Sequence, residues 1–148
     1  VGYYFDSVTE LLHEAGMYNI QLWAQRAERV ADLCEKLEPE ECRARITELL
    51  TRACLPDDSI VPKAHYAQLI GAADSSVVTE AYRKGRVLLD AAIARILERA
   101  GVPMTPRIVV AIVDGAAVAS ISEGLDVRET TGKLLDEAIE AYTKAAGC

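Results

Sequence analysis

Apolar residues recur along this chain at three- and four-residue spacing nearly throughout, and convincing alternating runs of strand length are absent. The pattern predicts an all-α helical bundle of about six helices. The first begins at Asp6 or Ser7, where Ser7-x-x-Glu10 fits a capping box. It runs to about Leu37, with Leu11, Ala15, Tyr18 and Leu22 on one face, joined by Trp23, Ala27, Val30 and Ala31. Glu38-Pro39-Glu40-Glu41 starts a second helix, with proline in its first turn and acids at the positive end of its dipole. Cys42, Ile46, Leu49, Leu50 and Ala53 form its stripe. Leu55-Pro56-Asp57-Asp58-Ser59 reads as a loop. A shorter helix is predicted over residues 62–73 and a long one over residues 77–100, capped by Asp74-Ser75-Ser76 and ended at Gly101. Thr105-Pro106 caps an apolar helix that reaches Leu125. The Asp114-Gly115 pair inside it reads as helix because its neighbours are rich in alanine. Gly124 closes that helix, and Asp126-x-x-Glu129 caps the last one, to about Ala146.

With 148 residues the chain is one domain by size, long enough to bury a substantial core. Its 51% hydrophobic and 26% charged residues place it among globular chains rather than disordered ones. A formal net charge of −7 argues against this segment gripping nucleic acid by itself, because phosphate neutralisation needs a basic face. The longest low-charge run, Ile108 to Ile121, is too short to span a bilayer, so no membrane partner is expected. Cys34, Cys42, Cys54 and Cys148 form no Cys-x-x-Cys pair, and they read as reduced thiols of a cytoplasmic protein.

Enzyme and metal patterns fail on inspection. His13-Glu14 begins a zinc-protease helix motif, but Met17 stands where its second histidine belongs. Glu10-x-x-His13 is half of a di-iron motif whose other half is missing. Cys34, Cys42 and His65 have no spacing known for a zinc finger or ribbon. Neither a glycine-rich phosphate loop nor a Gly-x-Ser-x-Gly elbow is present. No enzymatic activity, cofactor or metal is expected.

Two stretches carry a resemblance. The opening Gly2-Tyr3-Tyr4-Phe5-Asp6-Ser7, followed by an acidic-apolar run, resembles the segment that closes the helix-turn-helix of TetR-type transcription regulators. There it usually reads Tyr-x-[Tyr/His]-Phe-x-Ser-Lys-x-x-Leu, and Val8 here takes the place of the lysine. Near the other end, Ile108 to Gly115, a further apolar run and then Glu123-Gly124-Leu125-Asp126 look like the last two helices of the same family.

The resemblance implies an organisation. Residues 1–6 are the end of a truncated recognition helix, and residues 7–148 form an effector-binding and dimerisation domain. Tyr3 and Tyr4 contact DNA phosphates, Phe5 packs the reading head, and operator DNA is met through a missing N-terminal part. The last two helices pair with those of a second copy in a homodimer. The candidates for that interface are Ile108, Val109, Ile112, Gly115, Ala116, Ala119, Ser122, Leu135 and Ile139. Gly115, Ala119 and Ser122 form a small-residue face that lets another helix come close. A small-molecule effector sits among the central helices, with Tyr18, Trp23, His65, Tyr66, Gln68, Tyr82 and Arg86 as candidate contacts. The function implied is a ligand-responsive bacterial regulator, a repressor released from its operator by that molecule. The competing expectation is a helical protein-interaction or adaptor module with no DNA-binding role.

Overall fold

The computed structural model describes residues 7–56 and 61–147. Among these residues there are seven α-helices and no strand. They are α1 (Val8–Lys36), α2 (Pro39–Ala44), α3 (Ile46–Cys54), α4 (Pro62–Gly71), α5 (Ser76–Ala100), α6 (Pro106–Glu123) and α7 (Val127–Ala145). A short 3-10 turn, Ala72–Asp74, follows α4. The chain is all-α, as its periodicity predicts, and Asp114-Gly115 lies inside α6.

The helix count exceeds the expectation because the predicted second helix is two. At Arg45 the backbone leaves the helical region, with φ −107° and ψ 11°. Its N–H is shared between the carbonyls of Glu41 at 3.2 Å and Cys42 at 3.3 Å. The break lets α2 lie along α5 while α3 turns to meet α1, α5 and α7. Two separate apolar surfaces are thereby covered by one short stretch of sequence.

Local signals set most of the ends. Ser7 accepts from the Glu10 N–H at 3.1 Å, and Asp126 accepts from the Glu129 N–H at 2.8 Å. Ser75 does the same for Val78 at 3.4 Å. Thr105 occupies the corresponding position before α6 but makes no side-chain bond there; Pro106 alone pre-sets that first turn. Gly101 and Gly124 close α5 and α6 with φ of 64° and 70°, the left-handed turn that glycine adopts without strain.

The core is built on α1 and α5, which run parallel. Gly16 lies over Ala81, Gly85 over Ile20, and Arg95 bonds Asp32 at 2.7 Å and Glu35 at 2.8 Å. Rising residue numbers on α1 thus match rising numbers on α5. Small residues at the contact let the two axes approach closely. Around this pair, arginines hold the C-terminal carbonyls of neighbouring helices, where a cation also suits the helix dipole. Arg26 donates to the carbonyls of Ala53 at 3.3 Å and Cys54 at 3.2 Å, closing α3. Arg99 donates to Leu37 at 3.1 Å, closing α1. Arg43 donates to Gly101 at 2.8 Å, closing α5, and to the Thr143 hydroxyl of α7 at 2.9 Å.

Not every buried polar group is satisfied. The Thr131 hydroxyl on α7 is fully buried and has no hydrogen-bond partner among the described residues. Thr131→Val, nearly the same shape without the hydroxyl, is expected to raise the unfolding free energy by about 1 kcal/mol. Urea unfolding monitored by circular dichroism checks this; an equal or lower midpoint would mean that the hydroxyl has a partner in solution.

Candidate functional site

A cavity of about 320 Å³ opens where α1, α3, α4, α5 and α6 converge. That is the lower end of the range of about 300–1,000 Å³ typical of small-molecule sites. Its apolar and aromatic wall comes mainly from Ile20 and Trp23 of α1, His65 and Leu69 of α4, and Tyr82 of α5. The aromatic rings touch in series. Trp23 meets His65 edge to face at 4.8 Å between centroids, and it meets Tyr82 in a tilted contact at 5.3 Å. His65 in turn meets Tyr66 at 4.9 Å.

The remaining wall is charged. Arg26, Arg83, Arg86 and Arg107 line it together with Asp90 and Asp114. One turn of α5 brings Arg86 and Asp90 together in an ion pair of 2.7 Å. Asp114 accepts a hydrogen bond of 3.1 Å from the Tyr66 hydroxyl, which ties α4 to α6. Burial pushes the Asp114 carboxyl above the ordinary value, while Tyr66 and Arg86 pull it back. Burial, then the nearby Asp114, pushes the Tyr66 phenol up in the same way. Burial and, second, the charge of Arg26 hold His65 below the usual imidazole value, so at neutral pH it is uncharged. Cys54, which also lines the cavity, is driven up to about 12 by burial and Asp114, so it stays a thiol and is a poor nucleophile.

The structure brings Trp23, His65, Tyr82 and Arg86 of the predicted ligand contacts to one cavity. Tyr66 is buried in the core and touches the site only through its hydroxyl on Asp114. Gln68 lies in a neighbouring cleft of about 250 Å³, on the far side of Trp23 and His65. Tyr18 is 62% exposed and lines neither space. Arg26, Arg83, Arg107, Asp90 and Asp114 were not among the predicted contacts. Arg26 did carry a signal, since it is a cation within the apolar stripe between Trp23 and Val30. The apolar-Asp-Gly pattern at Asp114 marked a helix and not a cavity wall.

The predicted pairing residues separate into two groups. Val109, Ala116, Leu135 and Ile139 are buried within this chain's own core, and a side chain already covered adds nothing to an external contact. Ile108 and Ile112 are half-buried, whereas Gly115, Ala119 and Ser122 are exposed. With Ala111 and Val118 they form an outward stripe on α6, beside a shallow groove that Leu134 and Ala138 of α7 complete. Tyr3 and Tyr4 lie outside the described residues.

Among the described residues no three His, Cys, Asp or Glu side chains gather as a metal site, and no helix is long and apolar enough to cross a membrane. Compared with known protein families, curated proteins and solved structures, the chain finds no match.

Proposed function

We propose that this chain is the effector-binding and dimerising part of a ligand-responsive transcription regulator of TetR type, a repressor that a small molecule releases from DNA. The observation that carries the reading is the aromatic and charged cavity, built against the middle of the same long helix that begins at the aromatic Phe-x-Ser segment. Trp23 lies sixteen residues beyond Ser7, so α1 is a lever of roughly 24 Å between cavity and reading head. A ligand that fits only one tilt of α1 shifts the population toward that tilt. The reading heads of a dimer then miss half-sites that lie a fixed distance apart, and DNA affinity falls.

Pairing through α6 and α7 supplies the second copy. The stripe Ala111, Gly115, Val118, Ala119 and Ser122 leaves small residues outward, and a Cβ built on Gly115 meets nothing within 4 Å. Val118 at 42% and Leu134 at 40% exposure add apolar surface at its edge.

Light scattering at micromolar concentration is expected to give a dimer. Gly115→Arg, which has room within its own chain, should give a folded monomer with unchanged helix content. A parent protein that is already monomeric would remove the regulator reading and leave the helical adaptor. Joined to a reading head ahead of α1, the chain should bind a specific operator and lose it on effector addition, whereas the acidic chain alone should give no sequence-specific gel shift.

A further inference from the structure

The charge around the cavity is opposite to the charge of the chain. Acidic residues outnumber basic ones, 23 to 16, yet the cavity wall has four arginines against two aspartates. Both aspartates are engaged, Asp90 by Arg86 and Asp114 by Tyr66. Arg26 donates to the backbone carbonyls of Ala53 and Cys54. Arg83 and Arg107 differ from these. They reach the cavity from two different helices, and neither makes an ion pair or side-chain hydrogen bond among the described residues. Arg107 also stands in the first turn of α6, where a cation opposes the helix dipole instead of complementing it. That placement costs stability in the empty protein and becomes favourable when an anion sits between the guanidinium and the helix. In the same cavity wall stand the rings of Trp23, Tyr82 and His65.

Resting on the effector-site reading, the geometry points to a small aromatic carboxylate as the ligand class: its ring lies against Trp23 and Tyr82, and its carboxylate is taken by Arg83 and Arg107. Guanidinium matches carboxylate geometry with paired donors, and a charged hydrogen bond is about twice as strong as a neutral one. An amine of the same shape would face the arginines unscreened. An amide would keep the ring contact and lose the ionic one.

Benzoate, phenylacetate and 3-phenylpropionate, each beside its amide and its amine, make the test by titration calorimetry. Trp23 is the chain's one tryptophan, so its emission reports binding beside its ring, and the arginine substitutions below place that binding on the Arg83 and Arg107 side. At least one carboxylate should bind about tenfold tighter than its amide, with the amine weakest. Raising the salt concentration should narrow the difference. Arg83→Gln and Arg107→Gln should each weaken the carboxylate about fivefold and leave the amide unchanged; both side chains are exposed, so the fold should persist. Amides that bind as tightly as the acids, with a Trp23 response, would overturn the anion class but keep the cavity as an effector site. Carboxylate binding that is indifferent to both arginine substitutions would also overturn it. Should none of the nine compounds change Trp23 emission or the melting temperature, the aromatic-carboxylate class fails, while the effector-site reading stands or falls by the dimer and operator measurements.

Discussion

Gly85→Ala is expected to lower the unfolding free energy by about 1–3 kcal/mol, read as a drop in the urea midpoint. On an exposed helix the same change would stabilise, because alanine is the better helix former by about 1 kcal/mol. Sterics win here. A Cβ on Gly85 would stand 2.2 Å from Ile20 Cγ2, 2.6 Å from Cγ1 and 2.9 Å from Cβ. The obstacle is the branch point of a β-branched side chain, which cannot swing aside by turning a distant torsion. Relief requires α1 and α5 to move apart along their parallel contact. Ile20→Ala in the same molecule should therefore recover part of the loss, giving a favourable coupling in a double-mutant cycle. Gly132 is the internal control. An added Cβ there meets only Thr47 Cγ2, at 3.8 Å, so Gly132→Ala should stabilise. A Gly85→Ala protein as stable as the parent would mean that the two helices are less tightly set than the structure has them.

What the chain disclosed of its fold follows from how local each cause is. Ser7, Ser75 and Asp126 cap through a bond three residues away, and Pro39, Pro62 and Pro106 act on their own first turns. Such signals need no tertiary context. The break at Arg45 has neither glycine nor proline to announce it, because it exists to let α2 and α3 face different partners. The parallel pairing of α1 with α5 was equally invisible. Gly16 and Gly85 look like helix weaknesses in sequence and become contact points only when the other helix is known.

The site follows the same division. Trp23, His65 and Tyr82 could be nominated because large aromatic residues in a helical protein are buried or bind something. Their convergence depended on α4 crossing between α1 and α6, which periodicity does not encode. Arg83 and Arg107 escaped notice because an arginine on a helix surface is usually solvated. Only the shared cavity makes them differ from Arg52 or Arg29. Val109, Leu135 and Ile139 turn into the chain's own core, and this was hidden for a related reason. Apolar stripes on α6 and α7 do not say which half faces the chain's own core.

Arg26→Met should cost about 3 kcal/mol, since it keeps the stem and removes the donors that hold the Ala53 and Cys54 carbonyls at the end of α3. It also changes the response to acid, and the sign can be worked out. Folded His65 protonates below the 6.5 of an ordinary imidazole, through burial first and Arg26 second. As pH falls, the unfolded chain takes up that proton before the folded one. Stability is therefore lost from about pH 6.5 downward, by at most about 1.4 kcal/mol per pH unit. Asp114 acts the other way. Its folded carboxyl holds a proton above the ordinary value, so stability returns as pH falls through that range. Burial, Tyr66 and Arg86 set the Asp114 shift, and Arg26 has no part in it. The difference in pH slope between Arg26→Met and its parent therefore contains the Arg26 share of the His65 shift. The variant should be less stable at pH 8 yet lose less of its stability on acidification, measured by urea unfolding at a series of pH values. Parallel curves for the two proteins would show that the charge of Arg26 does not reach His65 across the cavity wall.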